Sequence, residues 1–145
     1  MSGGRCSSLS ELPGAASGIV REGRRGVLAT VDAEGRPHAV PVCYVVRDGA
    51  IVTPIDAKPK SGKPLGRRRN LERDPTVTFL VDRWSEDWSR LGWVMVRGEA
   101  RFEEASDTED LVDRYPQYEG LGIDELIVIE PADIAWWLWD EKSED

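Results

Sequence analysis

A chain of 145 residues is long enough for one domain whose hydrophobic core needs no disulfide or metal to be stable. Its formal net charge of −8 argues against a general nucleic-acid binder, which needs a basic surface, and no apolar run approaches the roughly 18 residues of a membrane span. Two cysteines, Cys6 and Cys43, are too few for a disulfide framework, so we expect a reducing, cytoplasmic compartment.

The two ends of the chain differ from the middle. Residues 1–18 are rich in Gly and Ser and lack the apolar stretch of a secretory signal, so we predict a disordered tail with at most one weak helical turn near Leu9. Residues 19–140 form the predicted folded domain. Residues 141–145 are acidic and are predicted to be a second tail.

Strand-like segments then follow in hairpin order. Residues 26–32, 37–46 and 50–54 are rich in β-branched and apolar residues and are predicted to be the first three strands. Asp48 and Gly49 form a strong hairpin signal between the second and third. Pro41 inside the second strand indicates an edge or a bulge, because proline cannot donate to the ladder.

The second half of the chain mixes strands with short helices. A loop over residues 55–64 leads into a helix over 65–73, and residues 76–82, 92–104 and an interrupted segment over 125–139 are predicted strands. Gly98 indicates a bulge in the long strand. Ser106 and Glu109 have the spacing of a capping box and predict a further helix. The sequence therefore predicts a mainly β protein, a six-stranded antiparallel barrel with a few short helices.

A basic segment is the most distinctive feature of the charge pattern. Six cations and no acid lie within twelve residues of an otherwise acidic chain, which favours the binding of a small anion. The alternative is a solvated loop and helix face. The six are Lys58, Lys60, Lys63, Arg67, Arg68 and Arg69; Arg68 points away from Arg67 on a helix and is the expected bystander.

Most catalytic motifs are absent from the sequence. His38 is the single histidine, so a cluster of zinc ligands is not visible, and the motifs of serine hydrolases, Walker loops and Rossmann dinucleotide sites do not occur. We therefore predict no catalytic side chain and no metal site. A cofactor that brings its own chemistry is favoured instead.

The order of short motifs along the chain resembles the pyridoxamine-phosphate-oxidase-like split-barrel family, whose members bind FMN or the deazaflavin coenzyme F420. The motifs are Leu28-Ala29-Thr30-Val31-Asp32, Gly35-Arg36-Pro37-His38, Val40-Pro41-Val42, Ile51-Val52-Thr53, Lys58-Pro59-Lys60, Arg69-Asn70-Leu71 and Asp74-Pro75-Thr76-Val77. The stretch from Val81-Asp82 to Glu86-Asp87-Trp88-Ser89-Arg90-Leu91 resembles the deazaflavin-dependent branch.

This resemblance implies a six-stranded FMN-binding split barrel that forms a homodimer with two cofactor sites at the subunit interface. The cofactor phosphate would be held by the basic residues after the third strand, and its ring would lie against the second and third strands. The implied cofactor-binding residues are Lys58, Lys60, Lys63, Arg67, Arg69, Asn70, Thr53, Pro54, His38, Val40, Pro41 and, as a lid from the partner subunit, Trp88.

Several of these residues have a second, purely structural interpretation. Asn70 can pack or cap its helix, His38 can be an ordinary surface residue or a haem ligand, and the strand residues can be ordinary barrel structure. Tryptophans more often pack cores or interfaces than cover cofactors.

The resemblance implies an oxidoreductase that transfers a hydride from reduced F420 to a small organic acceptor such as an enone or quinone. The alternatives are an FMN-dependent oxidoreductase and a non-enzymatic carrier or sensor of flavin, deazaflavin or haem. A small nucleic-acid-binding barrel ranks last, because the basic segment contains no aromatic residue on which a base could stack.

Overall fold

The computed structural model describes residues 1–56 and 66–139, and this part of the chain contains eight strands, four α-helices and two 3-10 turns. The strands are β1 (Ser2–Cys6), β2 (Gly26–Val31), β3 (Pro37–Val42), β4 (Val45–Arg47), β5 (Ala50–Asp56), β6 (Thr76–Arg83), β7 (Gly92–Glu104) and β8 (Ile123–Leu138). The helices are α1 (Gly14–Glu22), α2 (Gly66–Arg73), α3 (Glu109–Arg114) and α4 (Tyr118–Leu121), and the 3-10 turns span Leu9–Glu11 and Trp88–Arg90. Among the described residues, none of the helices has the length and apolar character needed to cross a membrane.

All strands belong to one antiparallel sheet in the order β3-β2-β6-β7-β8-β5-β4, with β1 added to β8. The prediction of a mainly β, antiparallel split barrel is confirmed. The described residues hold eight strands rather than six, because the predicted second strand divides at Cys43 and Tyr44 into β3 and β4, and because β1 was not predicted. The interrupted last segment is one continuous strand, β8.

The helical turn predicted near Leu9 forms as the 3-10 turn at Leu9–Glu11, but the rest of residues 1–18 is not a disordered tail, because it includes β1 and the start of α1. β1 pairs with the second half of β8, where Ser2 lies opposite Leu138. Glycine fits there, because a Cβ atom at Gly4 would lie 2.9 Å from the Trp136 ring. The free edge of β8 and the burial of α1 in the core stabilise a segment whose composition alone favours disorder.

The bulge predicted at Gly98 is confirmed in the long β7–β8 hairpin. The register between the two strands shifts between Arg97 and Gly98, and a Cβ atom at position 98 would lie 2.0 Å from the carbonyl oxygen of Glu130. Only glycine permits this approach of two backbones. The hairpin turn predicted at Asp48 and Gly49 also forms, with positive φ at both residues (51° and 78°).

The predicted capping box does not form. α3 begins at Glu109 with Thr108 as its N-cap residue, and the Ser106 amide donates instead to the Glu104 carbonyl. Residues 105–108 connect the end of β7 to α3, so the helix starts later than the sequence pattern indicates.

β5 is buried on both faces, between two apolar clusters. One face of β5 contributes Ile51 and Ile55 to the barrel core. The other contributes Val52 to a second apolar cluster with Leu111 and Tyr115 of the α3 region. The strand therefore ends, at the exposed Asp56, between the barrel and the helical segment that covers it.

Candidate functional site

A groove opens where the ends of β3 and β5 meet the α3–α4 segment. Its volume is about 440 Å³, within the roughly 300–1,000 Å³ of small-molecule sites. The lining side chains combine aromatic, apolar and charged character. They are Arg24, Cys43, Asp56, Tyr115, Gln117, Tyr118 and Leu121, and we call this feature the β5 groove.

Two aromatic side chains form the wall of the β5 groove. The rings of Tyr115 and Tyr118 meet edge to face, with centroids 6.2 Å apart. Burial, and then the hydrogen bond with the Cys43 thiol, raises the pKa of the Tyr118 hydroxyl. Tyr118 is therefore a neutral hydrogen-bonding group at physiological pH, in a wall that otherwise suits a flat apolar ring.

Arg67, in the first turn of α2, is the cation of the predicted basic segment that lies near this groove, close enough for Asp56 and Tyr118 to act on its charge. Burial lowers the pKa of Arg67, and the nearby charge of Asp56 partly opposes that effect. The Arg67 Nε atom is buried and has no hydrogen-bond partner among the described residues. A shielded guanidinium with a spare donor is costly unless an anion binds to it, so this position fits a phosphate or carboxylate.

Two more predicted residues carry buried polar atoms without a partner in the described part of the chain, namely His38 Nδ1 and Thr53 Oγ1. Thr53 is fully buried on the core-facing side of β5. His38 lies beside the start of α2, where its Nε2 would be 3.4 Å from a Cβ atom at Gly66. Three of the residues predicted to bind cofactor thus hold polar atoms without a partner in the described chain. Thr53 faces the barrel core, on the opposite side of β5 from Tyr115, so its hydroxyl does not line the β5 groove.

Other predicted residues are engaged elsewhere or face another way. Asn70 is buried and donates to the Thr30 hydroxyl at 3.0 Å, so its amide holds α2 against β2. Val40 packs against the barrel core, whereas Pro41 is exposed on the opposite face of β3. Pro54 is buried opposite Leu126 and does not line the groove.

Three of the predicted cations, Lys58, Lys60 and Lys63, lie outside the described residues. Arg69 is exposed on α2. Arg68 is occupied: its guanidinium pairs with Glu125, with Nε 2.8 Å from Oε1, also pairs with Glu72, and stacks over the Phe102 ring at 4.6 Å. Arg68 therefore anchors α2 rather than facing the groove.

Trp88 does not approach the β5 groove within one protomer. It lies in the 3-10 turn between β6 and β7, at the opposite end of β6 from α2. Its side chain is 53% exposed and meets the Trp139 ring edge to face, with centroids 6.0 Å apart. Its predicted role as a lid requires a partner subunit.

Sequence reasoning missed most of the groove wall: Arg24, Cys43, Asp56, Tyr115 and Tyr118 were not predicted. Cys43 and Tyr118 are far apart in the chain, and nothing in either local pattern indicates their contact. The Gly residues after Tyr118 indicate a turn there, but a turn alone does not identify a site.

Solved structures with similar folds were found by comparison with this structure. The conserved hypothetical protein Rv2991 from Mycobacterium tuberculosis is 25% identical (TM-score 0.67, covering 86% of this chain and 83% of that one). A haem-binding protein from Mycobacterium smegmatis is 22% identical (TM-score 0.67, covering 87% and 55%). An F420 reductase is 17% identical (TM-score 0.65, covering 85% and 98%).

Sequence comparison agrees with the fold. No curated protein sequence matches the chain significantly. The sequence profile of the family described as pyridoxamine 5'-phosphate oxidase matches residues 12–138, which is nearly all of the described chain. The strand order, the position of α2 before β6 and the groove beside β5 lie within this match, and the chain belongs to the pyridoxamine 5'-phosphate oxidase family.

Proposed function

We propose that this protein is an oxidoreductase that binds coenzyme F420 beside β5 and passes a hydride from the reduced cofactor to a small organic acceptor. The observation that carries the proposal is the partly buried Arg67 guanidinium, whose Nε lacks a partner among the described residues. It lies at the end of the basic segment and beside the Asp56 end of the β5 groove.

The residues of the chain have distinct roles in this proposal. Lys58, Lys60, Lys63, Arg67 and Arg69 hold the anionic part of the cofactor by charge-assisted hydrogen bonds. His38 offers a hydrogen-bonding atom, and Tyr118 offers an aromatic wall. When bound, the reduced deazaflavin supplies the hydride. The protein orients both reactants and excludes water from them, and no side chain forms a covalent bond with the substrate.

Coenzyme F420 is preferred over FMN because of the number of cations. Its lactyl-oligoglutamate tail adds negative charge beyond the phosphate. The basic segment holds five cations besides Arg68, which Glu125 and Glu72 neutralise, and five are more than one phosphate needs. The fold similarity to an F420 reductase supports the same choice. FMN remains the alternative cofactor for the same site. The two cysteines are unpaired, which favours a reducing cytoplasm as the compartment.

The outer face of the sheet supports a homodimer. One row of side chains crosses five strands in register on the face away from the core: Pro41, Val27, Leu80, Met95 and Ala135. Val27 and Leu80 are each 38% exposed. A continuous apolar row on a sheet face favours contact with a second copy of the chain.

Light scattering tests the dimer. Introducing a charge with Leu80→Glu should yield a monomer, because a buried unpaired carboxylate is costly in an apolar interface. The control is Ala33→Glu in the exposed β2–β3 turn, which should leave the mass unchanged. A Leu80→Glu protein with the mass of the wild type would exclude this surface as the interface.

Fluorescence titration of the purified protein with F420 and, separately, with FMN tests the cofactor. We expect tighter binding of F420, and a loss of about tenfold to a hundredfold in affinity for the Lys58→Ala/Lys60→Ala variant. The charge-matched control is Arg36→Ala/Arg90→Ala, two exposed arginines away from the groove. Tighter binding of FMN would establish the alternative cofactor, and binding of neither would exclude the oxidoreductase.

A haem carrier is the second candidate, because His38 has a buried nitrogen without a partner in the described chain. The fold is also similar to that of a haem-binding protein. Haem titration of wild type and His38→Ala tests this function. A Soret band in the wild type that is lost in the variant would favour haem over a deazaflavin.

A further inference from the structure

Arg24 is a fixed cation on the wall of the β5 groove. Its guanidinium lies over the Tyr115 ring, 5.1 Å from the centroid, and its Nη2 donates to the Arg114 carbonyl at 2.7 Å. The Tyr115 hydroxyl in turn donates to the Arg24 carbonyl at 3.0 Å. Both ends of the residue are therefore held, although the side chain is exposed. A cation held in this way loses little further entropy when it binds an anion.

The charge of Arg24 is not balanced by the protein. Among the described residues, no carboxylate lies within ion-pair distance of its guanidinium. Asp56 is the acidic residue that lines the groove, and its charge acts on Arg67. The groove lining thus holds one acid, Asp56, whose charge acts on Arg67, and one cation, Arg24, that pairs with no acid among the described residues.

The surroundings of Arg24 favour a flat apolar body. The edge-to-face rings of Tyr115 and Tyr118 and the half-exposed side chain of Leu121 (50%) line the same groove. Aromatic rings stack on or against such walls. A ligand that satisfies both the walls and the cation is planar, apolar over most of its surface, and anionic at one edge.

We propose that the Arg24 end of the β5 groove is the acceptor subsite, and that it selects planar organic acceptors that carry a carboxylate or sulfonate. This inference rests on the proposed function, which assigns the Arg67 end to the cofactor. In the reaction, the acceptor gains one hydride from the reduced cofactor and one proton from water. The acceptor is thereby reduced by two electrons as the cofactor is oxidised by two.

The experiment compares two quinones of the same ring system, menadione, which is uncharged, and a naphthoquinone sulfonate. We expect the wild type to show a lower KM for the sulfonate. Arg24→Met should raise the KM for the sulfonate about tenfold, the effect of one charge-assisted hydrogen bond. It should leave the KM for menadione and the Kd for F420 unchanged. The control is Arg25→Met, an exposed neighbour that does not line the groove.

Two kinetic results would overturn the inference. One is an equal rise in KM for both quinones. The other is a weaker Kd for F420 with unchanged preference between the quinones, which would assign Arg24 to the cofactor.

Calorimetric titration with naphthalene sulfonate gives a readout that needs neither turnover nor cofactor. Binding that is weakened by Arg24→Met but not by Arg25→Met supports the subsite even if F420 fails to bind and the proposed function falls. Equal binding to all three proteins excludes the subsite even if F420 binds.

Discussion

Arg114 and Arg67 are both half-buried arginines near the same helical segment, yet their surroundings differ. Arg114 donates from Nη1 to the Arg21 carbonyl at 2.8 Å, from Nη2 to the Gly23 carbonyl, and from Nε to the Tyr115 hydroxyl at 3.2 Å. Arg67 Nε has no partner among the described residues. Arg114 donates to the carbonyls that the end of α1 leaves free, whereas the Nε–H group of Arg67 is free to donate to a ligand. Arg114 therefore stabilises the contact between α3 and the end of α1, whereas Arg67 is suited to bind a ligand.

Replacing Arg114 should have the largest effect on stability. Arg114→Met leaves the carbonyls of Arg21 and Gly23 without their donors and should lower the free energy of unfolding by about 3 kcal/mol. Urea unfolding followed by tryptophan fluorescence measures this change. A loss below about 1 kcal/mol would show that water replaces these hydrogen bonds and that Arg114 is not essential for stability.

Replacing Arg67 should lower the affinity for the cofactor but not the stability of the protein. Arg67→Met removes a cation that burial disfavours, so the free energy of unfolding should stay within about 0.5 kcal/mol of wild type or rise. The affinity for F420 should fall about tenfold or more. Unfolding and fluorescence titration on the same preparation measure both quantities. A destabilisation equal to that of Arg114→Met would assign Arg67 a structural role instead.

Two buried threonines differ in the same way as Arg114 and Arg67: one has a hydrogen-bond partner and the other has none among the described residues, and the expected effects on stability are smaller. Thr30 is 2% exposed and accepts a hydrogen bond from Asn70 at 3.0 Å, whereas Thr53 is fully buried and its hydroxyl has no partner in the described chain. Thr30→Val should cost about 1–2 kcal/mol, because the buried Asn70 amide loses its acceptor. Thr53→Val should be neutral or stabilising in the absence of ligand.

Neither variant should change the affinity for F420, because Thr53 faces the barrel core and Thr30 bonds to Asn70. Each variant is the control of the other, since both replace a buried threonine by a residue of the same shape. Equal losses of stability in the two variants would mean that Thr53 has an internal partner.

The sequence predicted features whose cause is local. β-branched runs indicated the strands, Asp48 and Gly49 indicated a hairpin, and Gly98 indicated the bulge, because each depends on the conformational preferences of a few adjacent residues. β1 could not be predicted in this way. Its sequence, Ser-Gly-Gly-Arg-Cys, has little strand propensity, and the strand exists because the edge of β8 is available more than a hundred residues later.

The residues of the candidate site also divide into those with a local sequence signal and those placed by tertiary packing. The basic segment was visible in the sequence because its charges are contiguous. The contact of Cys43 with Tyr118 and the placement of Arg24 over Tyr115 depend on how the α3–α4 segment folds back onto β5. No local pattern encodes that packing, so the basic segment that ends in Arg67, Arg68 and Arg69 could be found in the sequence, whereas the Arg24 part of the groove could not.

The ion pair between Arg47 and Asp110 should give the smallest effect, one that depends on pH. It joins β4 to α3, with Nη2 2.6 Å from Oδ1 and Nε 3.0 Å from Oδ2. The hydrogen bond from Arg47 lowers the pKa of Asp110 below its ordinary value. The pair therefore contributes stability above the unfolded-state pKa of about 3.9, and this contribution is lost as the pH falls through the lower pKa of the folded state.

Because the pair is partly exposed, Asp110→Asn should cost less than about 1 kcal/mol at neutral pH. Urea unfolding at about pH 7 and at about pH 3 should show the two proteins converging as the pH falls, and a difference that widens toward acid would show that another group controls the contact.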